Sequence, residues 1–213
     1  MDLTALFQLS YGVYAVTSAY GPKKAGCIAN CAIQVTAVDP YMLVSLNKDN
    51  VTTEVIQKAK RFAVSILTEN VPMDVIGTFG YRSSKDVDKF SHVETIEVAD
   101  MPVLKTGANA YFVCDLVQVF EANSHLLILG QVTACENFNS EPPMTYAYYH
   151  QVKKGKAPKN APTYVAEAST GGMKDVYVCE VCGYRYEGDL RQAKDDFHCP
   201  VCGVGKARFH RER

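Results

Sequence analysis

Much of what would place a protein quickly is missing from this sequence. It has no excess of basic charge: 22 Lys+Arg stand against 23 Asp+Glu, for a formal net charge of −1. Nucleic-acid surfaces depend on a clustered positive field, so no nucleic-acid partner is expected. No apolar run approaches the roughly 20 residues that span a bilayer, and no membrane partner is expected either. The start, MDLTALFQLSYG, carries Asp2 and no basic stretch, which is not the pattern of a secretory signal. No G-x-G-x-x-G follows a strand-like run, and no G-x-x-x-x-G-K-[ST] loop occurs. A Rossmann nucleotide site and a P-loop are therefore set aside. The fragment GVGK at 203–206 lies in the turn after Cys202 and reads as structural. There is no internal repeat and no low-complexity tract.

What is present is an ordinary globular composition, 47% hydrophobic, with eight cysteines. Four of these are scattered: Cys27, Cys31, Cys114 and Cys135 sit in apolar or strand-like stretches and read as reduced, mostly buried thiols. The other four fall in CEVCGYRYEGDLRQAKDDFHCPVCG (179–203), two C-x-x-C pairs separated by 16 residues, each pair followed by a glycine. Each turn aims two thiolates at one ion, because a glycine that tolerates positive φ lets backbone N–H groups approach the sulfurs. Cys179, Cys182, Cys199 and Cys202 are the metal-ligand candidates, and a tetrahedral sulfur shell suits zinc or iron. A cysteine cluster in a chain without a leader also points to a reducing, cytoplasmic location.

Two units are expected. KKGKAPKNAP (153–162) shifts sharply in composition, and VAEASTGGMK (165–174) supplies small residues and a Gly-Gly pair. Residues 1–164 are read as the main domain, 165–174 as a tether and 175–213 as a small metal-binding domain. In the main domain YMLVSLN (41–47) and RFAVSIL (61–67) read as strands, and 111–134 as two strands joined around Asn123-Ser124. After Asn50 a helix is expected to place Val55, Ala59 and Phe62 on one face, and a shorter one covers 71–80. The fold class is mainly β, a barrel with peripheral helices. SLNKDNVT (45–52) ends a strand and opens the first helix, so its N–H groups, Asn50 and Thr52 form either an anion site or a simple helix cap.

The tail, CEVCGYRYEGD followed by DDFHCPVCGVGKARF, resembles rubredoxin, which holds one iron on four cysteines. The resemblance makes Cys179, Cys182, Cys199 and Cys202 the iron ligands and Tyr177, Tyr184, Phe197 and Phe209 a small aromatic core. The segment between the cysteine pairs is short, and Phe197 replaces the family's tryptophan in a chain with no Trp. GCIANCAIQVTAVDPYMLVSLNKDNVTTEVIQKAKRFAVSIL (26–67), FGYRSSKDVDKF (79–90) and SHLLILGQV (124–132) resemble the flavin reductase-like family, whose fold is an FMN-binding split β-barrel. PMTYAYYHQVKKGKAPKNAPTY (143–164) resembles the version of that domain fused to rubredoxin in anaerobic bacteria.

This second resemblance implies a cofactor site. Asn30, Cys31 and Ala32 would lie along the isoalloxazine edge, and Ser45, Leu46 and Asn47 would touch the ring or ribityl chain. Asn50, Thr52, Ser83, Ser84 and Lys89 would hold the phosphate, with Lys89 as its charge partner. Read alone, Lys89 in KDVDK is a solvated lysine. His125 stands where the family often has a histidine after Gly-Asp, here replaced by Asn123-Ser124. It is a candidate contact for flavin or nicotinamide, the alternative being a surface hairpin residue. Cys31 and the tyrosines 146, 148 and 149 read as packing residues.

The function implied is electron transfer from NADH or NADPH through FMN to an iron centre on the four cysteines. From there electrons would pass to a redox protein such as a flavodiiron protein, the chain acting as a homodimer. The alternative is a flavin or ferric reductase carrying a structural zinc ribbon.

Overall fold

The computed structural model describes residues 3–158, 161–163, 176–187, 190, 193 and 197–211. Strand β4 (Tyr41–Asn47) is a short, mostly apolar run, and the structure buries every second residue of it: Met42, Val44 and Leu46. Strand β5 (Arg61–Leu67) is buried on both faces because it lies inside the sheet. Phe62 and Val64 face one core and Ala63 another.

The remaining main strands are β1 (Tyr14–Tyr20), β2 (Lys23–Ala29), β3 (Ala32–Gln34), β8 (Ala108–Ala122) and β9 (His125–Asn137), with a separate hairpin of β6 (Thr95–Val98) and β7 (Met101–Leu104). Seven strands pair in the order β2-β1-β5-β8-β9-β4-β3, and every pairing is antiparallel. The two edges, β2 and β3, are consecutive in the chain and separated only by Asn30 and Cys31. Cys27 and Ala29 from one edge share a core with Ala32, Met42, Phe62 and Ile128. The sheet thus curls on itself into a split barrel, with β2 and β3 left as its two edges. The hairpin at Asn123-Ser124 is as expected, with Asn123 in the left-handed region at φ 51, where asparagine is tolerated.

Helix α1 (Val51–Ala59) is capped by Asn50, whose side chain accepts from the Thr52 amide at 3.0 Å. It ends at Lys60, which turns left-handed at φ 58. The expectation that the helix face extends to Phe62 is therefore corrected: Phe62 is a core residue of β5. Helix α2 (Met73–Tyr81) packs its buried face, Val75, Ile76 and Phe79, beside β2, and a short α3 (Tyr146–Gln151) follows β9. Among the described residues no helix is long and apolar enough to cross a membrane.

The C-terminal module is a three-stranded sheet in the order β11-β10-β12, from Arg185–Glu187, Val176–Cys179 and Phe209–Arg211. Its ring contacts join Phe197 to Tyr186 and Phe209, and Tyr184 to Phe209. Tyr186 thus joins the core that the resemblance implied. Tyr177 pairs with it across the strands. The tether expected at 165–174 lies outside the described residues.

Candidate metal centre and flavin site

The two cysteine turns are built alike. Cys179 N–H donates to Tyr184 O and Gly183 N–H to Cys179 O, both at 2.9 Å; Cys199 N–H donates to Val204 O at 2.7 Å and Gly203 N–H to Cys199 O at 2.8 Å. Gly183 and Gly203 adopt φ values of 75° and 72°, the left-handed region that these turns need and that glycine enters without a Cβ penalty.

All four cysteines are buried, and their sulfurs lie within 4.8 Å of one another. Cys179 and Cys202 are 3.5 Å apart and Cys182 and Cys199 3.4 Å. A tetrahedron of sulfurs about 2.3 Å from a central ion has edges of about 3.8 Å, so one four-coordinate ion fits the set. Cys199 is held well below the usual thiol range, first by the Cys182 thiol donating to it. All eight cysteines are free of disulfides.

The residues expected at the phosphate converge on β2. Lys89 is 4% exposed, and its ammonium donates to Gly26 O at 2.8 Å and Phe79 O at 3.0 Å. It is no solvated lysine. Burial pushes its amine down to about 8, against an opposing influence of Cys27. Ser84 Oγ accepts from Gly26 N–H at 3.4 Å, and Ser83 Oγ accepts from Lys85 N–H at 3.1 Å.

Cys27, whose neighbours include Lys89, Thr52 and Asn50, is a buried thiol raised by desolvation. Thr52 is fully buried, and its hydroxyl has no hydrogen-bond partner. An unpartnered buried hydroxyl is costly, and a polar ligand atom at the start of α1 would offset that cost. Alongside, an open hollow of about 450 Å³ is lined by Lys48, Asn50, Lys58 and Lys85 among others. Lys48 pairs with Glu121 and Lys58 with Glu54. Among the described residues the Lys85 ammonium has no ion-pair partner. Lys85 was missed in the sequence because nothing in SSKDVDK separates it from Lys89. A helix N-terminus, a buried lysine and an unpartnered hydroxyl together suit a dianionic phosphate.

The residues expected at the ring edge lie at and beside the short link between the two edge strands. Ser45 N–H donates to Cys31 O at 3.2 Å, and Asn30 Nδ2 donates to Thr163 Oγ1 at 3.1 Å. Ala32 borders an apolar hollow of about 390 Å³ with Tyr14, Met42, Val64 and Phe112. Leu46 differs: its side chain is buried in the barrel core, leaving only its backbone for a ligand. Asn47 stands opposite His125 across β4 and β9, and His125 Nδ1 lies 2.9 Å from Ser124 Oγ. His125 is thus at the end of the hairpin, beside a ring candidate. Tyr149 is buried and Tyr146 bonded, through Thr163, to Asn30.

Fold and sites together define a split-barrel protein that carries a four-thiolate metal module. The chain belongs to the flavin reductase like domain family, which matches residues 6–155, and residues 177–210 match the rubrerythrin, rubredoxin-like domain. It is similar to a high molecular weight rubredoxin of Moorella thermoacetica, 36% identical over 98% of this chain and 99% of that one. It is also 36% identical to a ferric-chelate reductase (NAD(P)H) of Archaeoglobus fulgidus, over 77% of this chain and 98% of the relative. Among solved structures, the flavin reductase PheA2 in its native state superposes with a TM-score of 0.58 at 26% identity, covering 68% of this chain and 93% of the other.

Proposed function

We propose that this protein is an NAD(P)H-dependent flavin reductase that delivers electrons to an iron ion on its own cysteines. A redox protein, of which a flavodiiron protein is the expected kind, would take them onward. The observation that carries the reading is the presence, in one chain, of a flavin reductase barrel and a buried four-sulfur site of the right dimensions. The Moorella relative, aligned over nearly all of both chains, has the same span. The Archaeoglobus relative supports NAD(P)H as the donor class and the barrel as the reductase.

When bound, FMN takes a hydride from NADH or NADPH and gives up electrons singly, and iron on four thiolates cycles between ferric and ferrous. The chain's own part is positioning. The α1 N-terminal amides, the Thr52 hydroxyl, Ser83, Ser84 and the Lys89 ammonium hold the phosphate. Asn50 keeps its side chain for the helix cap, so it presents the helix end rather than gripping the ligand. Backbone groups of Asn30, Cys31 and Ala32 border the ring, with Ser45, Leu46 and Asn47 behind it and His125 at the rim. Cys179, Cys182, Cys199 and Cys202 exclude other ligands by completing the shell.

No acid–base pair is needed for hydride transfer. A second copy of the chain would cover Ile33, Val35 and Val38, exposed apolar side chains in and just after edge strand β3. The free cysteines suit the cytoplasm.

Protein made in iron-replete medium is expected to show flavin bands plus a ferric-thiolate absorption. In Cys199→Ser the ferric-thiolate component disappears while NAD(P)H-dependent flavin reduction persists. A yellow protein whose iron-replete preparations hold zinc instead would establish the zinc-ribbon reductase.

A further inference from the structure

Helix α2 holds a glycine at its centre, although glycine is a poor helix former. The reason is the metal module. A Cβ on Gly77 would lie 2.2 Å from the Val201 carbonyl oxygen, so only glycine lets the second cysteine turn sit against the helix. One turn further on, Arg82 donates twice to the carbonyl of the metal ligand Cys202, from Nε at 3.2 Å and Nη2 at 2.7 Å. Tyr81, between the two, packs against the cysteine cluster and is an electrostatic neighbour of Cys182. The face of the module bearing Cys182 and Cys202 is thus the one turned towards the barrel.

The contact does not stop at α2. The Tyr81 and Tyr149 hydroxyls meet at 3.1 Å and both reach the Lys156 carbonyl. Tyr149 stacks on Tyr146 with ring centroids 5.9 Å apart. Thr163 donates to Tyr146 Oη at 2.8 Å and accepts from Asn30 at 3.1 Å. Asn30 is a candidate for the flavin edge. A continuous run of packed rings and hydrogen bonds therefore joins that edge to the sulfur site within one chain.

We propose that Gly77, Tyr81 and Arg82 form an intramolecular docking seat, on which the metal module is loaded by its own barrel. The seat uses the face nearest two of the sulfurs, so the docked module is closed there to an outside redox protein and must leave the seat to deliver. Each NAD(P)H supplies a hydride, which amounts to two electrons and one proton. The chain's single ferric ion is reduced in each of two successive loadings, passing the first electron to the outside redox protein between them, and the proton is released. The loading step rests on the function proposed above; the docking itself does not.

Gly77→Ala and Arg82→Ala test it in the full chain. Amide hydrogen exchange is followed in protein loaded with zinc, and iron reduction after NADH in protein loaded with iron. Alanine in place of Gly77 favours the helix while excluding Val201, so a loss of docking cannot be ascribed to a weakened α2. Both variants are expected to speed exchange across 73–82 and 199–205 by at least tenfold. Exchange in β5 and β8 and the metal content should not change. Iron reduction should slow at least tenfold at an unchanged rate of flavin reduction. Exchange in those segments equal to wild type in both variants would overturn the seat. Faster exchange with undiminished iron reduction would overturn loading in cis. Faster exchange in the variants, with iron that even the wild type never reduces, would uphold the seat and sink the electron-transfer function.

Discussion

Lys89 shows how one side chain can be both structural and chemical. Its ammonium already satisfies the Gly26 and Phe79 carbonyls, yet it shares the buried Cys27 as a neighbour with Thr52 and Asn50 at the start of α1. In water a lysine stays charged to about pH 10. Burial brings this one down to about 8, so the charged form dominates below that pH and the neutral form above it. A phosphate monoester is dianionic above about pH 6. FMN affinity is therefore expected to be highest between about pH 6 and 8 and to fall, by at most about tenfold per pH unit, as pH rises through 8.

The sign for stability is opposite. A lysine whose folded value is depressed opposes folding once the unfolded chain takes up the proton, so the flavin-free protein should gain stability from about pH 8 towards 10.5. In Lys89→Met the alkaline loss of affinity should vanish, and affinity at pH 7 should drop by roughly 10- to 100-fold, the size of a charge-assisted bond. A titration of flavin fluorescence against pH checks both. An unchanged pH profile in the variant would remove Lys89 from the phosphate site. Its burial was not legible in KDVDK, where local charge suggests solvent; only the tertiary placement of two carbonyls draws it inward.

At the scale of elements, the sequence spoke clearly wherever pattern and boundary signals agreed. Strands β4 and β5, the turn at Asn123-Ser124 and the cap at Asn50 were readable because short apolar runs, turn residues and capping chemistry are local. The end of α1 was not. Phe62 keeps helical spacing with Val55 and Ala59, but Lys60 turns left-handed and hands Phe62 to β5. Strands β1 and β2 were not legible because their small residues, Ala, Ser and Gly, carry weak strand preference and are selected here by close packing: a Cβ on Gly26 would lie 2.6 Å from Phe79.

The cysteine turns were legible in full, since spacing alone sets them. Gly183 tests that reading cleanly. Its φ is 75° and nothing lies within 4 Å of a Cβ there, so Gly183→Ala adds backbone strain without a clash. The strain is about 1–2 kcal/mol, which should weaken metal retention against a chelator by roughly 5- to 30-fold and leave the barrel's melting untouched. Equal retention would mean that the turn is not set by glycine.

Across the whole molecule, the sequence led to an expectation of two units but not of how they would meet. A tether by itself says nothing of where the tail rests, and the structure seats it on α2. That contact depends on one absent side chain, at Gly77, and on one guanidinium, at Arg82, neither of which belongs to a recognisable motif. The candidate flavin site was assembled from resemblance in three separated segments; the fold brings the second to Gly26 of β2 and pairs the third with β4. Lys85 and the Tyr81–Tyr149 contact emerged only in three dimensions.

The central claim is that reducing equivalents accepted by the flavin move on to iron at the four thiolates. Anaerobic stopped-flow mixing of the iron-loaded protein with NADH, with flavin and ferric-thiolate absorptions recorded together, tests it most directly. The flavin band should bleach first and the ferric-thiolate band follow, whereas Cys199→Ser should show the flavin phase alone. A flavin that bleaches completely while the ferric-thiolate band persists would contradict the account.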